Sequence, residues 1–200
     1  MNPESAQHLL TRLVRTPSVN PAHTADDSIA GEARMADALT PLLEERGLVV
    51  ERIPLIGPDR PALVARGPDA PHTLMIDAHL DTVGVDHMTR DPFDAEIVEG
   101  RLYGRGSCDM KGATAAFLHA LTPERVQALA ARGVQLVFTA TPNEECGMDG
   151  ALRLANRGLR ADAVMALEPT RCVPVVAHKG AHWYELELRG RSGHGSNPGA

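Results

Sequence analysis

Five acidic or imidazole groups stand just beyond short apolar runs: His79 and Asp81 after LMIDA, Glu144 and Glu145 after VQLVFTA, and Glu168 after AVMAL. Asp109 joins them from the turn-rich segment YGRGSCDMKG, immediately ahead of a helical stretch. The spacing His79-x-Asp81 has a physical use. Residues two apart in extended chain share a side, so the carboxylate can hold one imidazole nitrogen while the other nitrogen binds a metal. Adjacent Glu144 and Glu145 point differently, which lets one ligate a metal while its neighbour faces a metal-bound water as general base. Taken singly, each feature has an ordinary reading: a surface hydrogen bond for His-x-Asp, a solvated loop for the glutamates, a helix N-cap for Asp109, a strand end for Glu168. Taken together, four carboxylates converging on one sheet edge would repel unless cations sat between them. Two divalent ions balance three carboxylate ligands and one bridging hydroxide. Carboxylates and imidazole without thiolate suit Zn, Mn or Co, with zinc favoured for water activation.

Other chemistries lose their motifs on inspection. A dinucleotide GxGxxG opening at Gly104 and Gly106 finds Asp109 in place of its third glycine, and Lys111 stands at the wrong distance from Gly104 for a phosphate loop. His178 and His182 are four apart but lack the glutamate of HExxH, and no GxSxG occurs. A chain with 20 basic against 26 acidic residues, one Trp, two Tyr and three Phe has neither a phosphate-neutralising face nor stacking platforms. Nucleic acid is therefore excluded as an expected partner. No apolar run reaches the length of a membrane span, and the first residues lack a basic start followed by an apolar core. Three cysteines, Cys108, Cys146 and Cys172, leave at least one unpaired and form no CxxC, which suits a reducing compartment. A cytoplasmic location is the expectation.

Elements must bring these residues together, and the apolar patterning says which. Leu9, Leu10, Leu13 and Val14 recur at helical spacing before Pro17. A second helix is expected over 27–46, with Pro41 as a kink and Gly47 as its stop. Short apolar runs at 48–53, 62–65, 74–78, 134–140 and 163–167, each bounded by Gly, Pro or Asp, predict strands. Helical stretches at 110–121, 123–132 and 149–157 separate several of them. Strands buried on both sides and alternating with helices imply an α/β fold: a three-layer, mostly parallel sheet with helices on both faces. In such a sheet ligands gather beyond the carboxyl ends of the strands. At 183–188 the pattern WYELEL alternates apolar with acidic, which predicts a half-exposed strand in a different layer.

The motifs AHLDTV and GRGSCDMKG, then TPNEECGMDGA, EPT and AHKG followed by SGHGSNP, resemble a known family in type and order. It is that of the dinuclear zinc amidohydrolases and metallopeptidases: acetylornithine deacetylase, succinyl-diaminopimelate desuccinylase, aminoacylase and carboxypeptidase-type enzymes. The acetylornithine deacetylase branch is the nearest in look. The resemblance spans residues 74–198 and implies roles for individual residues. His79 and Glu168 would hold one zinc, Asp109 would bridge, and Glu145 would hold the second. Glu144 would be the general base and Asp81 the orienter of His79. His194 would donate to the developing oxyanion, reaching the neighbouring subunit of a homodimer. Residues 1–180 would be catalytic and 181–200 the beginning of an α+β lid that also dimerises. Such enzymes are about twice this length, and a further histidine ligand comes from their last part. The chain is then either a fragment of a longer one or a truncated product that has lost activity. The implied reaction is metal-dependent hydrolysis of an N-acyl amino acid. A dipeptidase or carboxypeptidase on the same metals, or a metal-binding fragment without catalysis, are the alternatives.

Overall fold

In chain order the elements are α1 (Ala6–Val14), α2 (Ala33–Glu44), β1 (Val49–Pro54), β2 (Pro61–Arg66), β3 (His72–His79), β4 (Glu96–Val98), β5 (Arg101–Tyr103), α3 (Lys111–Ala120), α4 (Pro123–Ala131), β6 (Val134–Thr141), α5 (Asp149–Asn156) and β7 (Ala163–Ala166). The computed structural model describes residues 5–180, 184–187, 189, 190 and 196. It divides the chain into two units, Met1–Pro169 and Thr170–Ala200, and all the named elements belong to the first.

Five strands form one sheet in the order β1-β2-β6-β3-β7. β2 runs antiparallel to both β1 and β6, while β3 lies parallel to both β6 and β7. Four of the five strands therefore share a direction and only β2 is reversed. The pleat sorts their side chains between two cores. Leu63, Ala65, Ile76, Ala78, Leu136, Phe138 and Ala140 pack on one face with Leu9, Leu13, Met35, Leu39, Leu118 and Val126 from α1, α2, α3 and α4. Ala62, Val64, Met75 and Val137 pack on the other face with Leu154 of α5. This is the three-layer α/β arrangement that the apolar runs predict.

Local signals account for the helix starts. The Ser5 side chain accepts the His8 N–H at 3.2 Å at the head of α1, and Thr122 accepts the Arg125 N–H at 3.3 Å with Pro123 in the first turn of α4. Phe117 stacks on Phe138 with ring centroids 5.0 Å apart, fastening α3 to β6.

Three expectations need correction, and one hairpin was not expected. α2 begins at Ala33 rather than at 27, because Ile29 and Gly31 are bonded to Val19 instead: the Val19 N–H donates to the Ile29 carbonyl and the Gly31 N–H to the Val19 carbonyl. The hairpin β4–β5 has no long apolar run to announce it. β7 is exposed along its length, since only β3 flanks it in the sheet and it lies at the edge. No strand forms over 184–187, where Tyr184 and Leu186 are exposed; among the described residues of that unit there is no ladder for them to join. Trp183 and Leu188 lie outside the described residues. Among the described residues no helix is long and apolar enough to cross a membrane.

Candidate metal centre

Strand register brings the chemistry to one edge. His79 at the end of β3 pairs with Thr141 at the end of β6, and the Leu80 N–H donates to the Thr141 carbonyl at 2.8 Å. Glu144 and Glu145 follow three and four residues later. On the other flank Asp77 pairs with Ala166, and the Leu167 N–H donates to the Asp77 carbonyl at 2.9 Å, so Glu168 arrives level with His79. Asp109 comes from the turn ahead of α3. It does not cap that helix: Met110 is the residue at its start, and no side chain bonds there.

The imidazole of His79 is the hub. Its Nδ1 lies 2.8 Å from the backbone carbonyl of Asp81, which leaves Nε2 to face the cluster, 3.0 Å from Asp109 Oδ1 and 4.0 Å from Glu168 Oε1. The ligand atoms of His79, Glu144 and Glu168 lie within 4.8 Å of one another, and so do those of His79, Asp109 and Glu145. With Nδ1 engaged, one nitrogen serves both groups, so His79 can complete only one of them at a time. All five residues of these groups are ones the sequence picks out.

Asp81 meets His79 with a different atom from the one expected. Its carboxylate stands 3.8 Å from Nδ1 and is engaged elsewhere. Oδ1 accepts the Glu144 N–H at 3.0 Å, and Oδ2 accepts the Glu145 N–H at 3.1 Å and Asn20 Nδ2 at 2.7 Å. Asp81 thus holds the imidazole through its main chain and pins both glutamates through its side chain. His194 lies outside the described residues.

Burial and crowding set the charge states. Burial pushes the carboxyls of Glu144, Glu145 and Glu168 up; His79 opposes this and the neighbouring carboxylates add to it. The hydrogen bond from His79 holds Asp109 low against the effect of burial. For His79 itself burial favours the neutral ring, yet the bond to Asp109 and the charges of Asp81, Glu168 and Glu144 together outweigh it and raise the pKa to about 9. In the metal-free chain the cluster therefore holds its own cation, an imidazolium, which a metal must displace.

This predicts a pH dependence. A group whose pKa rises on folding stabilises the fold fully below its unfolded value, and that contribution is lost as pH rises through its folded value. Treated with chelator, the chain should lose up to about 3 kcal/mol as pH climbs from 6.5 through 9. The raised glutamates act in the same sense from lower pH. Urea unfolding midpoints at pH 6 and pH 9.5 measure the effect, and His79→Gln should flatten the upper part of the curve. An unchanged slope in that variant would assign the loss to other groups.

Sequence reasoning missed the residues behind the cluster. Asn20, Glu32, Arg60 and Asn143 are joined to Asp81 and to one another by hydrogen bonds, and the Glu32 side chain is fully buried. The available signal was slight: Asn20 and Asn143 each adjoin a proline, which reads as turn chemistry.

Comparison with known proteins identifies the family and the fold. The sequence profile of peptidase family M20/M25/M40 matches residues 75–193. The chain is similar to acetylornithine deacetylase of Edwardsiella ictaluri (strain 93-146), 34% identical over 194 residues, which are 95% of this chain and 49% of the relative. It thus spans about half the length of that curated relative. Among solved structures it is similar to the M20 family metallo-carboxypeptidase Sso-CP2 from Sulfolobus solfataricus, with a TM-score of 0.64 at 24% identity, covering 82% of this chain and 37% of that one. It is also similar to YXEP of Bacillus subtilis, a dinuclear metal binding peptidase from the M20 family, with a TM-score of 0.55 at 18% identity, covering 80% and 41%. At these identities the likeness to the two structures is one of fold.

Proposed function

The chain belongs to peptidase family M20/M25/M40, and from that premise we propose that it hydrolyses the amide bond of N-acyl amino acids at the cluster around His79, with two divalent ions as cofactors. The observation that carries this reading is the convergence at one sheet edge of His79, Asp109, Glu144, Glu145 and Glu168, whose ligand atoms form two overlapping three-residue groups that share His79. The donor set fits: one imidazole and several carboxylates with no thiolate are taken by Zn, Co or Mn, and zinc is the ion we favour. His79 and Glu168 would hold one ion, Asp109 would bridge, and Glu145 would hold the other. Bound there, the ions would acidify water and draw charge from the scissile carbonyl.

The remaining work falls to the protein. Glu144 takes a proton from the attacking water as its oxygen adds to the carbonyl carbon. It returns that proton to the nitrogen as the C–N bond breaks, leaving a carboxylic acid and a free amine. Burial pushes its carboxyl above the ordinary glutamate range in the metal-free chain. Asp81, bonded to the N–H groups of both glutamates, keeps the base and the ligand in fixed register. His194 is kept as the donor to the oxyanion, on a lid beginning at 181 that reaches the neighbouring subunit of a homodimer. The cytoplasm is the location proposed, on cysteine usage.

A second reading, cleavage of dipeptides or of peptide C-termini, is favoured by the peptidase character of the family. Substrates separate the two. The full-length protein, loaded with zinc or cobalt and analysed for metal, should release free amino acid from N-acetyl amino acids, stop on addition of chelator, and resume when the ion is restored. Preferential cleavage of dipeptides would move the assignment to the second reading. Bound ions without turnover of either would leave a metal-binding protein, and a chain that takes up no ion would have no metal centre.

A further inference from the structure

Asn143 stands immediately before the two glutamates and makes contacts that no turn residue needs. Its backbone is in the left-handed region, with φ 66°, and its N–H donates to Glu32 Oε1 at 3.2 Å. Its side-chain oxygen accepts from Asn20 Nδ2 at 3.0 Å and from Arg60 Nη2 at 3.0 Å. Its side-chain nitrogen donates to Asp149 Oδ2 at 2.8 Å. The orientation of the amide is forced by its neighbours: Arg60 can only donate, and the Asp149 carboxylate can only accept. Arg60 is fixed in turn by a forked pair of bonds to Glu32, Nε to Oε2 at 2.8 Å and Nη2 to Oε1 at 2.6 Å, and the Glu32 side chain has no exposed surface. A bidentate guanidinium–carboxylate pair is a rigid support because both its distance and its plane are set.

The same donor that reaches Asn143, Asn20 Nδ2, also reaches Asp81 Oδ2, the oxygen that accepts the Glu145 N–H. Three consecutive residues are therefore held by one connected network: Asn143 by its own bonds, and Glu144 and Glu145 directly by Asp81. Three of the partners of Asn143, namely Asn20, Glu32 and Arg60, come from the first sixty residues, ahead of the segment that matches the family profile, while Asp149 lies within it. We infer that Asn143 is a positioning residue for the metal centre: it transmits the placement of the Glu32–Arg60 pair and Asn20 to Glu144 and Glu145, and so sets the affinity with which the cluster holds its ions.

This rests on the reading of the cluster as a metal site, and the test keeps the two apart. The whole chain is titrated with cobalt, following its visible absorption, in the wild type and in Asn143→Ala, Asn143→Gly and Arg60→Met, with circular dichroism recorded on the same samples. Glycine tolerates the left-handed backbone, so Asn143→Gly removes the amide without straining the turn. The expected result is cobalt affinity lower by about 10- to 100-fold in both Asn143 variants, as for other residues that hold metal ligands in place, with a changed absorption band and a native circular dichroism spectrum. Arg60→Met should act in the same direction, and combining it with Asn143→Gly should cost less than the two separate losses together, because both remove one network. A merely structural role would lower the thermal midpoint yet leave the affinity and band of the folded protein unchanged. Affinity in folded Asn143→Gly within about twofold of wild type, against the larger loss expected, would overturn the inference and leave the metal site standing. A wild-type chain that takes up no cobalt would overturn both. Should Asn143→Ala fail to fold, Asn143→Gly decides.

Discussion

Glu144→Gln in the full-length protein should lower metal-dependent turnover by about two to four orders of magnitude while the metal content stays at the wild-type level. The substitution keeps the length and polarity of the side chain and leaves the backbone N–H bonded to Asp81 Oδ1. It removes only the capacity to take a proton from water. The prediction is sharp because the geometry allows a competing role: Glu144 also completes a three-residue group with His79 and Glu168. If Glu144 served chiefly as a ligand, the variant would lose metal and the activity per bound ion would hold steady. Metal content and turnover measured on one preparation separate these outcomes, and the second would exchange the roles of Glu144 and Glu145.

Asp109→Ala should weaken ion binding by more than about a hundredfold, since residues that merely support ligands already cost about 10- to 100-fold when removed. No more than one ion per chain should remain. Two effects oppose each other in this variant. Removing the carboxylate takes away a ligand, but it also takes away the bond that keeps the His79 ring protonated, so less proton must be displaced when an ion binds. The lost ligand wins in the total, whereas the released proton shows separately: the variant's residual binding should vary less between pH 6 and pH 9 than that of the wild type. Calorimetric titration in buffers of different ionisation enthalpy measures both. Two ions bound at wild-type affinity would remove Asp109 from the site.

The parts of this centre that could be read in the sequence are those governed by local pattern. Apolar runs bounded by Gly, Pro or Asp place the ends of β3, β6 and β7, and in a mostly parallel sheet the residues just past those ends share one edge. Local pattern cannot tell which atom of Asp81 meets the imidazole. The two-residue spacing puts the side chains on one side, but the N–H groups of Glu144 and Glu145, 63 and 64 residues further on, compete for that carboxylate and take it. The support network is harder still to read. Asn143 is bonded to residues 123, 111 and 83 positions away, and each partner alone looks like an ordinary turn or surface residue. The start of α2 was missed for the same reason, since its expected first turn is drawn off by Val19. Exposure of β7 is likewise a property of its place in the sheet rather than of its composition.

The pairing of His79 with Thr141 has an evolutionary corollary. Along β3 the side chains alternate between two cores, Met75 on one face and Ile76 and Ala78 on the other. A slip of one residue against β6 would exchange those faces and present Ala78 or Leu80 where the imidazole belongs. The strand can drift in composition among apolar residues of similar size and still deliver His79. It cannot change length by a single residue. The strand that carries the histidine therefore acts as a ruler: its spacing constrains the site more tightly than its letters do, and the loops between elements are where a change of length is tolerated.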